Sequence, residues 1–230
     1  QYLMAGAADM IWQLWNAGEV IDSLPEDLRP HTRDEGYAVQ AELEALSKRP
    51  LVGWKIAATS KAGQHHIGVS GPIAGRLLAQ RVFDDGAEVA FGANRMRVAE
   101  PEFAFRFGQA LGPREDAYQI DEVLAAVDSL HPAIEVPDSR FDDFASAGEA
   151  QLIADNACAH EFVLGPATSA NWRDIDLSKH EVSVEAVGGD QYTGIGSNVL
   201  GDPRVALVWL VNEVTGLGLT LDAGHVVTTG

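Results

Sequence analysis

One cysteine, Cys158, stands in a chain of 230 residues. A lone thiol closes no disulfide within the chain and makes no cysteine zinc site. Cysteine poverty of this degree favours a reducing compartment, and a cytoplasmic location is expected. Basic residues are scarce too: 16 Lys and Arg stand against 34 Asp and Glu, a formal net charge of -18. A field of that sign repels phosphate backbones and anionic lipid surfaces, so neither nucleic acid nor membrane is an expected partner. It repels anionic metabolites as well, so a site for an acid needs strong local positive charge, and a divalent metal is the obvious source. No apolar run reaches the roughly 18 residues of a membrane-spanning helix. No basic stretch followed by an apolar core opens the chain, so no signal peptide is expected. The chain begins with Gln1 and stops soon after a strand-like Val226-Val227. Both ends are therefore expected to be trimmed relative to the gene product. Repeats and low-complexity segments are absent from the sequence.

What is present is globular: 46% hydrophobic and 22% charged residues. A chain of this size buries about 70% of its unfolded surface. Leu3, Ala7, Met10, Ile11, Leu14 and Trp15 recur at helical spacing before a stop at Gly18. Thr32-Arg33-Asp34-Glu35 reads as a capping box opening a helix to about Lys48, which Pro50 ends. Strands are expected over 51–58, 87–91, 96–107, 133–136, 162–164, 182–187 and 226–228. Short helices are expected over 61–67, capped by Ser60 and ended by Gly68, and over 149–157. Asp121 opens a helix carrying Val123, Leu124, Val127 and Leu130. Asp202-Pro203 opens another, ended by Gly216. Gly71, Pro72 and Gly75 mark turns. Helices cluster early, strands dominate the middle, and no regular βαβα alternation appears. The expected class is α+β with a mixed or antiparallel sheet.

The chemistry concentrates in three places. In Glu100-Pro101-Glu102-Phe103-Ala104-Phe105-Arg106-Phe107, strand alternation buries the phenylalanines and sets Glu100 and Glu102 on the opposite face, roughly 7 Å apart. That pair is either a solvated face or half of a cation site. Pro101 lacks a donor and suits an edge or a bulge. A third acid, Glu135, lies in an apolar run bounded by Pro132 and Pro137. Glutamate rarely lies buried unless paired or metal-bound. Three glutamates from two strands suit Mg²⁺ or Mn²⁺, with waters and substrate oxygens completing six ligands. Lys55 interrupts the apolar strand Leu51-Val52-Gly53-Trp54-Lys55-Ile56-Ala57. It either snorkels outward from an edge or sits partly buried with a lowered pKa, as a proton shuttle or carboxylate anchor.

Gly53-Trp54-Lys55-Ile56-Ala57-Ala58-Thr59-Ser60 resembles the G-[YW]-K-I-x-x-T-S signature of the 2-keto-4-pentenoate hydratase / 2-oxo-3-hexenedioate (4-oxalocrotonate) decarboxylase family, within the fumarylacetoacetate hydrolase superfamily. The agreement continues, in order, through Ile67-Gly68-Val69, Glu100-Pro101-Glu102-Phe103, Ala133-Ile134-Glu135-Val136, Ala154-Asp155-Asn156-Ala157 and Gly196-Ser197-Asn198-Val199 to Asp202-Pro203. The resemblance implies a mixed β-roll with surrounding helices: an N-terminal helical segment over 1–50 and a catalytic domain over 51–230. It implies that Glu100, Glu102 and Glu135 hold the metal and that Lys55 lies in the active site. His65 and His66 are candidates for acid–base work. Arg76, Asn156, Ser197 and Asn198 are candidates for binding substrate. Three features depart from the family: the loop 69–75 carries no acid, Cys158 stands where serine is usual, and His65-His66 stand where glutamines are frequent. The implied activity is metal-dependent hydration of a 2-hydroxydienoate or 2-oxo-enoate such as 2-hydroxypenta-2,4-dienoate, in aromatic-compound catabolism. The alternatives are a decarboxylase of the 2-oxo-3-hexenedioate type, a superfamily C–C hydrolase, or an inactive 2-oxo-acid-binding paralogue. A homo-oligomer is expected, since many members assemble and five tryptophans leave apolar area to spare.

Overall fold

The computed structural model describes residues 2–230, with side chains from residue 4. Gln1, and the side chain of Leu3 at the start of the first apolar stripe, lie outside the described residues. Helix α1 (Tyr2–Ala17) and helix α2 (Arg33–Ser47) form the N-terminal segment. They bury Ala7, Ala8, Ile11, Val39 and Leu43 together with Phe141 and Ala154. The Thr32 side chain accepts from the Glu35 N–H, as a cap should, but Glu35 reaches the His31 N–H at 3.0 Å, one residue earlier than a capping box predicts. Strand β1 (Gly53–Ala57), helix α3 (Lys61–Ile67) and strand β2 (Ile73–Leu77) follow. Ser60 caps α3 and Gly68, at φ +67°, ends it. Next come strand β3 (Val82–Asp84), strand β4 (Glu100–Phe107), helix α4 (Ile120–Ala126) and strand β5 (Val127–Val136). Helix α5 (Glu149–Ala154) and strand β6 (Glu161–Leu164) precede a two-stranded ribbon of β7 (Glu181–Glu185) and β8 (Gln191–Ile195). Helix α6 (Pro203–Gly216), capped by Asp202, and strand β9 (Val226–Thr228) complete the described chain.

Seven strands form one curled sheet in the order β2-β1-β9-β4-β5-β6-β3. The β1–β9 and β3–β6 pairs are parallel and the others antiparallel, so the sheet is mixed. Its outer face carries Trp54, Ile56, Phe105, Phe107 and Val227 against Leu207, Leu210, Val211 and Val214 of α6. Its inner face is apolar at one end, where Leu77, Ala104, Ala133, Phe162 and Val226 pack together. The other end of the inner face carries the charged residues. No helix among the described residues is long and apolar enough to cross a membrane.

Several elements depart from the expectations. Residues 87–91 form no strand; they find no partner, and Phe91 is exposed. Residues 73–77, read as a turn region, form the fully buried edge strand β2. Gly75 sits mid-strand because a Cβ there would collide with the Asn156 carbonyl. The helix from Asp121 stops at Ala126, and Val127 and Leu130 lie on β5, where long antiparallel pairing with β4 overrides helical spacing. The helix expected to reach residue 157 ends at Ala154, before three residues with positive φ. The polar face of β4 is solvated only at its start, at exposed Glu100: curling encloses Glu102 and Ala104 as thoroughly as Phe105. Pro101 is tolerated inside the sheet because β9 pairs only with residues 104–106 of β4.

Candidate active site

The β4–β5 register sets Glu100 directly opposite Glu135, and Glu102 projects from the same face of β4 two residues on. One carboxylate oxygen from each of the three lies within 4.8 Å of the others. Glu102 and Glu135 are only 5% and 2% exposed. Burial, and then the charge of Glu135, holds the Glu102 carboxyl well above the usual carboxylate range. The same two causes raise Glu100. Thr228 of β9 donates its hydroxyl hydrogen to Glu102 Oε2, whereas Glu102 Oε1 is buried without a partner.

Lys55 approaches from β1. One row of the sheet joins Lys55 to Thr228 and Thr228 to Ala104. The curl brings Lys55 Nζ to 2.8 Å from Glu135 Oε1 on β5, off the line of a hydrogen bond. The ammonium donates to the Ala157 carbonyl at 2.8 Å. Lys55 is 3% exposed. Burial lowers its pKa, but the neighbouring charges, Glu135 foremost, outweigh burial and the net shift is upward. The side chain does not snorkel outward, and the shift is upward rather than the lowering expected of a partly buried lysine.

A cavity of about 520 Å³ opens on this cluster. Lys55, Glu100 and Glu135 form its polar end; Ile67, Met96, Val98 and Phe144 line the apolar part, with His66 and Cys158. The His66 ring stands edge-on to Phe144, with centroids 6.4 Å apart. Burial, followed by the Asp155 charge, pushes the Cys158 thiol up to about 12, so it stays protonated and is no nucleophile. A neighbouring cavity of about 310 Å³ shares Thr59, Glu100 and Gly230 with the first and is also lined by Asn198.

Other sequence candidates lie elsewhere. Arg76 pairs with Trp54 across β1–β2, so alternation turns it to the face opposite Lys55. Its guanidinium stacks 4.7 Å from the Trp54 ring centroid and donates to Glu44 at 3.0 Å and Gln40 at 3.1 Å. It lines neither cavity and is not placed to anchor substrate. Asn156 is fully buried, and its amide bonds both backbone groups of Arg76 rather than facing the cavity. Ser197 is exposed and lines neither cavity, and His65 lies on the outer side of α3. The sequence reading passed over Thr228, the Ala157 carbonyl, Met96, Val98 and Phe144. The hydroxyl pair Thr228-Thr229 closing an apolar strand was the one available signal.

Buried glutamate oxygens without partners, and three like charges beside one ammonium, fit a hard divalent cation held by oxygen donors. Glu100, Glu102 and Glu135 would hold it.

No family model matches the chain. Relatives do. The chain is 32% identical over 227 residues to 2-keto-4-pentenoate hydratase of Paraburkholderia xenovorans (strain LB400), covering 97% of this chain and 83% of the relative. It is 30% identical over 230 residues to 2-hydroxyhexa-2,4-dienoate hydratase of Comamonas testosteroni, covering 96% and 84%. Among solved structures it superposes with a TM-score of 0.84 and 26% identity on 4-oxalocrotonate decarboxylase from Pseudomonas putida G7 complexed with magnesium and adipate, over 99% of this chain and 86% of that one. The same enzyme complexed with calcium and acetate gives 0.82. A fumarylacetoacetate hydrolase family protein from Yersinia pestis CO92, 12% identical, shares the fold with a TM-score of 0.52 over 79% of this chain and 81% of that one. On its sequence similarity to the hydratases, the chain belongs to the 2-keto-4-pentenoate hydratase family, and it shares its fold with 4-oxalocrotonate decarboxylase and with fumarylacetoacetate hydrolase family proteins.

Proposed function

We propose that this chain is a divalent-metal-dependent hydro-lyase that adds water to a 2-hydroxydienoate or 2-oxo-enoate such as 2-hydroxypenta-2,4-dienoate. The observation that carries the reading is the triad of exposed Glu100 and buried Glu102 and Glu135, within 4.8 Å of one another beside Lys55, with Glu100, Glu135 and Lys55 at the polar end of a cavity. When bound there, Mg²⁺ or Mn²⁺ would supply Lewis acidity to the carboxylate and 2-oxygen of a 2-oxo acid. The chain's own residues do the rest. Glu135 and the Ala157 carbonyl hold the Lys55 ammonium at the cavity edge, from where it holds and moves the proton of the water-addition step. Ile67, Met96, Val98 and Phe144 offer an apolar surface that receives the carbon tail.

The lining favours hydration over decarboxylation. A decarboxylase substrate carries a second, distal carboxylate, and no arginine lines this cavity among the described residues. Besides Lys55, His66 is the one basic side chain lining it. The TM-score of 0.84 to 4-oxalocrotonate decarboxylase makes decarboxylation the second reading. A C–C hydrolase needs a water-activating His–Glu pair, and the neighbour of His66 is an aromatic ring. The proposal extends to a homo-oligomer in the cytoplasm, supported by Val187 and Tyr192, exposed on the β7–β8 ribbon, and by the single unpaired cysteine. Sedimentation tests the assembly.

The test is turnover with Mg²⁺ or Mn²⁺. Loss of the dienol absorbance of 2-hydroxypenta-2,4-dienoate, with no CO₂ released from 2-oxo-3-hexenedioate, is expected. CO₂ release without hydration would reverse the order of the two readings. Metal and oxalate uptake without turnover of either compound would leave a binding protein.

A further inference from the structure

Asn156, Ala157 and Cys158 are consecutive non-glycine residues with φ of +58°, +52° and +61°. L-residues enter the left-handed region singly and at a cost, asparagine least reluctantly. Three in succession persist only where the surroundings over-determine them, and such strain collects at functional sites. The surroundings here are specific. The Arg76 N–H donates to Asn156 Oδ1 at 2.7 Å, and Asn156 Nδ2 donates to the Arg76 carbonyl at 2.9 Å. That amide clasp fastens the loop to β2 at a residue beside Gly75, which itself pairs with Lys55. Gly75 leaves room for the Asn156 carbonyl, which any Cβ would strike. Asn156 and Ala157 are both fully buried. The three turned residues aim their carbonyls at different partners: Cys158 accepts from the Asp138 N–H at 3.0 Å, Asn156 from the Ala159 N–H at 2.9 Å, and Ala157, toward the site, from Lys55 Nζ at 2.8 Å.

We propose that Asn156 is a positioning residue for Lys55, and that its clasp on β2 holds the left-handed loop so that the Ala157 carbonyl fixes the ammonium beside Glu135. Asn156 lines neither cavity of the site and acts only through the loop. The kinetic arm of the test rests on the hydratase reading; the labelling arm does not.

Asn156→Gly accepts the positive φ and removes only the clasp. In the metal-loaded protein kcat for the dienoate is expected to fall about tenfold or more, with KM and Mg²⁺ affinity changed less than about threefold, the range for a group that supports a functional side chain from behind. In a Lys55→Met background the same change is expected to alter kcat less than about twofold, because the residue through which it acts is gone. Acetylation of Lys55, followed by mass spectrometry, is expected to quicken about fivefold or more relative to Lys179, whose side chain is 83% exposed. Asn156→Asp, which keeps the acceptor and loses the donor, is read the same way if the glycine variant does not fold. Wild-type kcat and an unchanged labelling ratio in a folded variant would overturn the proposal. So would an equal loss in the Lys55→Met background, or a fall in metal affinity matching the fall in kcat, since either would give Asn156 a general structural role. If the wild type hydrates nothing, the hydratase reading fails, and the labelling ratio still decides the role of Asn156.

Discussion

Two clusters of buried charge meet at residues 155–158, and they follow opposite rules. In one, Asp155 accepts from the Ser139 hydroxyl at 2.6 Å, from the Arg140 N–H at 3.1 Å and from the Arg140 guanidinium. Arg140 also donates to the Ala159 carbonyl at 2.9 Å and the Asp155 carbonyl at 2.5 Å, and it stacks 4.2 Å from the Trp15 ring centroid. Both carboxylate oxygens of Asp155 are used. In the other, three glutamates share one ammonium and Glu102 Oε1 has no partner. Buried charge that serves the fold is fully paired, because an unpaired buried charge costs several kcal/mol. Buried charge left short of partners is waiting for something the fold does not contain. Burial alone would not separate the two clusters; the hydrogen-bond count does.

Substitutions sharpen the contrast. Glu102→Gln keeps the shape and removes one of three repelling charges. Turnover is expected to fall by about a thousandfold, the several kcal/mol a metal centre supplies. The melting temperature of the metal-free protein should match or exceed wild type. Wild-type Mg²⁺ uptake by this variant would break the comparison. Asp155→Asn strikes the paired cluster and should cost about 3–5 kcal/mol of stability in denaturant unfolding, with or without metal. A loss below about 1 kcal/mol would show the pairing to be ornamental. Thr228→Val removes the donor to Glu102 Oε2 and should weaken Mg²⁺ binding by roughly 10- to 100-fold, measured calorimetrically, while the fold survives.

The smallest effect concerns pH. His160 Nδ1 accepts from Trp15 Nε1 at 2.9 Å beside the paired cluster. Burial, then Arg81 and Arg140, pushes the His160 pKa down to about 3. The folded protein keeps this ring neutral while the unfolded chain protonates it below its ordinary value near 6.5. Unfolding therefore takes up a proton between pH 6.5 and about 3, and this contribution to stability is lost as pH falls through that window. The stability difference between wild type and His160→Gln should shrink on acidification from pH 7 to 5. A difference that stays constant would place a charged ring in the fold.

Much of the site was legible because its residues break local patterns. Glu135 among apolar neighbours, and Lys55 in an apolar strand, announce unusual burial whatever the fold. The caps at Thr32, Ser60 and Asp202 were legible for the same local reason, each side chain accepting from a nearby backbone N–H. What escaped is set by long-range pairing. Val127 and Leu130 fit a helix until β4 claims them, and Arg76 looks like an anion anchor until its register with Trp54 turns it away. Thr228 and Ala157 act through a hydroxyl and a carbonyl that no motif announces. The left-handed turn at 156–158 has no glycine to mark it.

Isothermal titration of the protein with Mg²⁺ or Mn²⁺, alone and then with oxalate as a chelating mimic of a 2-oxo acid, tests the central claim most directly. One metal per chain, bound more tightly with oxalate and lost in Glu102→Gln, is the predicted result. No metal uptake by the wild-type protein, with or without oxalate, would contradict it and leave the glutamate cluster without its cation.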